Sequence, residues 1–409
     1  MVVFSLQMRI QSGMIAGRLL FGLGGEIMTV LACEIVTRWF RYVNLAKDRQ
    51  TGGERESSKT NWERKNISTV LAFMFSVSKL GVATVLPATQ RLCEVYGVVP
   101  ASWIATWGSL TAGALAVCYL ACIGREKSLD METLLEDIND DPVRNDPNGT
   151  TNTSYLSIVT SYPYVFWLLG VICILGCGSI DTFSNSAQRF LASVFYAGSQ
   201  RDAASATRYF RISLPSLTLC GRCRVPAHVY ITLSFLFIVS SISAPLLGYI
   251  LDSSLRNHAA PMLLLANILI LLAHTLFLTT PNALVPLGIL GLASAVFSVS
   301  FSANLTRCLF STVKFLQQKH GPGHQQEEGR GYGTMSKQTR TENAQSQEII
   351  AMGFGCMTCL TNLAAAAIPV VLAMTESVCG YQGLEMVFWV MGALGCLVAG
   401  HLVVIDRFL

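Results

Sequence analysis

The sequence predicts an all-α fold: a polytopic membrane protein of about nine transmembrane helices. Three observations carry this. Apolar residues make up 52% of the 409 and charged residues only 13%, whereas a soluble domain carries about 25% charged residues. Mean hydropathy is +0.47. The apolar residues also gather into runs of about 18 or more, enough for a helix to cross a hydrocarbon core of roughly 30 Å. Hydropathy and flanking charge place these runs near 15–40, 67–90, 102–123, 162–183, 229–250, 260–279, 283–307, 349–374 and 384–405.

The first run opens with GRLLFGLGGE, Gly17 to Glu26, and continues to Phe40. A carboxylate at the depth of Glu26 costs several kcal/mol unless it meets a partner or water, and membrane ionisable groups mark solute pathways. Gly22, Gly24 and Gly25 let a neighbouring backbone come close. Glu34 and Arg38 are spaced as a local salt bridge near the inner end. Segment 41–66 then turns polar and rich in Lys and Arg.

The second run carries Lys79 in VLAFMFSVSKLGVATVLP. Counted from opposite membrane faces, Glu26 and Lys79 both fall near the midplane. Such a pair either neutralises itself and fixes helix packing, or binds the two termini of a zwitterion. After the third run comes 124–161, acidic and turn-rich, which reads as a cytosolic linker between an N-terminal helix group (1–123) and a C-terminal six-helix bundle (162–409).

The fourth run ends with Asp181 and Arg189, which suit gate residues or interface anchors equally. Beyond them, six arginines crowd 189–224, an insertion that does not fit the charge alternation of the other loops. Its Cys220–Cys223 pair lacks the second pair that a zinc site would need. At the inner end of the fifth run, GYILDSSLRN sets Gly248, Asp252 and Arg256 four residues apart. That spacing can tie a cytosolic turn to a neighbouring helix, with Asp252 holding a helix N-terminus through its dipole.

The later runs are sparse in polar groups. His274 and His401 are lone histidines in apolar helices, core residues that could titrate in an acidic lumen. Asn267, Asn304 and Asn362 read as interhelical hydrogen-bond glue. Segment 311–348 reads as a disordered polar cytosolic loop, and 375–383 as a short connection. Cys356–Cys359 lies inside a membrane run, a poor place for a metal.

Short loops almost free of Lys and Arg belong outside the cytosol, and 41–66, 251–259, 311–348 and Arg407 belong inside. In that orientation no sequon, at Asn66, Asn148, Asn152 or Asn304, receives a glycan. Nucleotide-cradling glycine motifs, H-E-x-x-H and G-x-S-x-G are absent. No basic block has the size of a nucleic-acid footprint. The expectation is no enzyme, no cofactor, no metal and no nucleic-acid partner.

GRLLFGLGGE with RWF, followed by the Lys79 run, resembles the fourth and fifth helices of the major facilitator superfamily. Ala203–Thr207 (AASAT) and Ile242–Asp252 (ISAPLLGYILD) resemble its eighth helix and the loop after it. Met352–Phe354, Asn362–Leu363, Gly380–Tyr381 and Leu384–Glu385 resemble its last two helices. The nearest branch is the lysosomal dipeptide uniporters. The resemblance implies two six-helix bundles, with the counterparts of the first three helices lacking from this chain. It implies alternating access, dipeptide movement across a lysosomal membrane and an accessory membrane glycoprotein partner. The family's acid maps to Glu26, and its basic residue, usually Arg, to Lys79.

The expectation is therefore a secondary transporter of dipeptides or similar zwitterions in a lysosomal or other endomembrane, with Glu26 taking the amino terminus and Lys79 the carboxylate. The alternatives are another solute (a sugar, an organic anion or an amino acid), the plasma membrane, and a non-transporting scaffold or degenerate fragment.

Overall fold

The computed structural model describes residues 67–115, 117–118, 159–195, 227–255, 258–320 and 335–406. These are helical almost throughout, with no strand among them. In chain order the helices are α1 (Ile67–Tyr96), α2 (98–115), α3 (Tyr164–Val194), α4 (Ala227–Ser253), α5 (Ala259–Thr279), α6 (Leu284–His320) and α7 (Met335–Asp406). The long α7 is two helices, broken at Gly380 (φ 65°, ψ −161°).

Seven stretches among the described residues are long and apolar enough to cross a membrane: Ser68–Cys93, Tyr164–Ala187, Thr232–Ser253, Ala259–Thr279, Leu284–Val313, Ile349–Gly380 and Gly383–Asp406. Each falls on a span expected from hydropathy. The expected first span lies outside the described residues, and so does the end of the third. The outward faces are apolar as well as the core. Phe73, Val85, Ile242, Leu246, Val370 and Leu397 are all exposed. Such sides suit lipid, so a multi-pass membrane protein is the reading the helices support.

The chain forms two compact units. Residues 88–118 fall in one, and residues 67–87 with everything described from 159 onward fall in the other. The boundary between them falls inside α1, at Pro87. The first part of α1 packs on α4 through small and polar residues.

Within the larger unit the main packings are α3 against α7, α5 against α6, α4 against α6 and α5 against α7. Phe166, Phe183, Phe190, Phe297 and Phe388 are fully buried between them. At the start of α3, Tyr162 stacks on Phe166 and donates its hydroxyl to the carbonyl of Ile349, 2.7 Å away. Burial pushes that phenol above its ordinary range, so it remains a donor at physiological pH.

Three local expectations change. The segment 311–348 is flanked by longer helices than expected, since α6 runs to His320 and α7 resumes at Met335. The connection expected at 375–383 is helical except for the break at Gly380. Asn267 and Asn304 are not glue between helices. Their amides donate to the carbonyls of Leu263 and Ser300 on their own helices. Each finds its acceptor one turn back, a pairing open to any polar side chain on a helix.

Candidate functional site

The helices α1 and α4 meet antiparallel along one seam, and the side chains that make it are regularly spaced. At the inner end, Asp252 Oδ2 accepts both the backbone N–H of Thr69 (2.7 Å) and its hydroxyl (2.6 Å). Thr69 is in the first turn of α1, where backbone donors lack intrahelical partners and a carboxylate is favoured by the dipole. One turn on, Gly248 faces Ala72. A Cβ added at Gly248 would lie 2.6 Å from the Ala72 methyl and 3.0 Å from the Ser68 carbonyl oxygen. Only glycine lets the backbones approach this far.

Farther along, Ser76 and Ser241 clasp reciprocally. Ser76 Oγ donates to the Ser241 carbonyl at 2.6 Å, and Ser241 Oγ donates to the Ser76 carbonyl at 2.9 Å. Then comes Lys79, whose ammonium lies 5.7 Å from the centroid of the Phe237 ring, within cation–π range. Phe237 is buried and Lys79 half-buried.

On α3, Asp181 is exposed and lies one turn beyond Cys177. Lys79 and Asp181 make no ion pair with each other, and each stands on a helix long and apolar enough to cross a membrane.

The expected partner of Lys79, Glu26, lies outside the described residues. So do Arg256, Glu34, Arg38 and the Cys220–Cys223 pair, and nothing is described of the Arg189 side chain. Of the residues singled out from sequence, the structure brings Gly248 and Asp252 together with the start of α1, and places Lys79 on that same seam. Asp181 stands exposed on α3, with no ion pair to Lys79. Among the described residues no group of His, Cys, Asp and Glu could hold a metal ion. His401 is exposed and packs edge-on to Tyr164.

Sequence reasoning missed one pair. His274 Nδ1 lies 2.9 Å from Glu385 Oε2, and the side chains are 0% and 1% exposed. Glu385 Oε1 has no partner. On the other side of the ring, Nε2 lies 3.5 Å from Ser179 Oγ. The imidazole stacks on Phe388 (5.0 Å, 14°) and meets Phe183 edge-on at 5.4 Å. An acid so close to a helix end reads from sequence as an interfacial residue. The only available signal was that both residues sit near helix ends on the same side of the membrane.

No family model matches this chain. No curated protein matches it in sequence either.

Proposed function

We propose that the chain is a secondary transporter of small zwitterions, dipeptides foremost, working by alternating access in a lysosomal or other endomembrane. One observation carries the reading: Lys79 stands half-buried on a membrane-length apolar helix, over the Phe237 ring, with no ion pair to any described residue. Ionisable groups inside a membrane bundle are costly, and those retained there line solute or ion paths. A structural ion pair would close to contact, since close contact is what offsets the desolvation of two buried charges. An ammonium left without a carboxylate among the described residues instead suits the carboxylate of a solute, with an acid elsewhere on the path for the solute's amino terminus.

In this reading Lys79 takes the carboxylate, and Asp181 the amino terminus, with Glu26 as a further acid on the same path. Phe237 holds the lysine stem and stabilises the ammonium while the site is empty. The seam of Thr69, Ala72 and Ser76 on Asp252, Gly248 and Ser241 closes the cytosolic half of the path. The likeness of GRLLFGLGGE and ISAPLLGYILD to the major facilitator superfamily supports the same mechanism, and an accessory glycoprotein would be the family's partner.

The test is uptake of labelled alanyl-alanine by the full chain reconstituted in liposomes. Wild type should accumulate it, and Lys79→Met and Asp181→Asn should each weaken apparent affinity. Losing one charged hydrogen bond costs about 1.5–3 kcal/mol, or roughly tenfold to a hundredfold. Variants that behave as wild type would refute the site. A wild type that moves no dipeptide, sugar, organic anion or amino acid would favour a scaffold.

A further inference from the structure

The most deeply buried acid–base pair among the described residues plays no part in the site above. His274 on α5 and Glu385 on the second arm of α7 meet at 2.9 Å with essentially no exposed surface. Phe183, Phe277 and Phe388 surround the imidazole, with ring centroids 5.0 to 6.0 Å away. Next to the pair, Trp389 donates its indole N–H to Thr275 Oγ1 at 3.2 Å.

The elements packed on α5 are α3, α6 and α7. On α3 the charged group near this level is Asp181, two residues from Ser179 and thus on the opposite side of that helix, with Cys177 below it. On α6 no titratable side chain occurs from Leu284 to Thr306. On α7, Glu376 and Cys379 precede the break at Gly380, Tyr381 comes one turn before Glu385, and Cys396, His401 and Asp406 follow it by three turns or more. Among the described side chains, none of these is bonded to the pair. Charge balance there is a matter of protons alone.

With one proton between them, imidazole and carboxyl are neutral overall. With none, the pair leaves a bare negative charge in a dry aromatic shell; with two, a bare positive one. Either costs several kcal/mol. Ser179 can serve the ring in any of its states, because a hydroxyl both donates and accepts. Glu385 Oε1, buried with no partner, is an open place for a proton. The pair sits close to the end of the bundle that carries the 280–282 connection and the Gly380 break, away from the Asp252–Thr69 contact.

We propose that His274 and Glu385 form a proton site, loaded in this closed arrangement and exchanging with the non-cytosolic compartment when α5 and the second arm of α7 part. Solute movement is thereby coupled to proton movement, in place of the uniport that the resemblance to the dipeptide uniporters implies. The site rests on the transporter reading for its role, but not for its existence. Its dryness forbids exchange here, so the proton moves only with the helices. The Gly380 break, just before Glu385, is where the second arm can move without disturbing the first.

Two measurements on the full-length chain test this. In liposomes loaded with pyranine, alanyl-alanine uptake should acidify the lumen. In Glu385→Gln and His274→Gln the acidification should be lost, with dipeptide counterflow retained. Wild-type uptake without a pH change overturns the proposal and leaves the transporter reading intact. The second measurement is nitrogen NMR of histidine-labelled protein in detergent. The resonance missing from His274→Gln should be displaced in Glu385→Gln, and in wild type it should respond to bulk pH only when alanyl-alanine is present. If no solute is transported but this resonance is displaced in Glu385→Gln, the transport reading fails and the shared proton stands. A His274 resonance that follows bulk pH without solute, or that ignores Glu385→Gln, overturns the site whatever the uptake shows.

Discussion

Lys79 shows how much one side chain can carry in a membrane. Its stem emerges from an apolar helix and its ammonium rests over Phe237. An ammonium is a point charge, whereas a guanidinium is a planar fork. Lys79→Arg should therefore keep dipeptide affinity near wild type, with altered preference among carboxylate geometries, while Lys79→Met should weaken it. Competition uptake with a panel of dipeptides separates the two outcomes. Asp252 works differently. It serves the start of α1 through both donors of Thr69. Asp252→Ala should cost about 1 kcal/mol, the usual worth of a helix cap. Unfolding of the purified chain in detergent should then begin at a lower temperature, and an unchanged midpoint would show that the contact adds nothing.

At the scale of elements, the α1–α4 seam is built from what it lacks. Gly248 has no side chain because Ala72 and the backbone of Ser68 and Thr69 already occupy the space. Gly248→Val should overpack the seam by about 1–3 kcal/mol and lower the melting temperature in detergent. The serine clasp is weaker. A double-mutant cycle on Ser76→Ala and Ser241→Ala should give a coupling of about 0.6 kcal/mol, the typical value for polar contacts between membrane helices. Gly380 is a backbone case. At φ 65° with open space around it, a methyl group meets no neighbour and only the backbone is strained. Gly380→Ala should cost about 1 kcal/mol by that route. It should slow solute exchange more than it weakens solute binding, which a comparison of uptake rate with binding affinity would show.

For the whole molecule, the apolar outward faces of the seven candidate spans predict that the chain stays in the membrane pellet after alkaline carbonate extraction. The loop charges would put Asn148 and Asn152 on the cytosolic side, which predicts that glycosidase leaves the mass unchanged. A mass shift mapped to either would invert the orientation. Hydropathy located every described span because crossing lipid demands a long apolar run, and that demand is local to each segment. The capping role open to Asp252 was legible for a related reason, since Gly and Asp four residues apart at a helix end form a local pattern. Which helix it caps was not, because α1 lies far away in the chain.

The sequence alone determined the fold class, the positions of the described spans and the presence of costly charges such as Lys79, because each is set by the free energy of burying one segment in oil. Only the tertiary structure decided who meets whom. It gave Phe237 to Lys79, Glu385 to His274 in contact, and α4 to the first part of α1. Such pairings join residues far apart in the chain, and their energies depend on distances and exclusion of water that no run of neighbouring residues encodes.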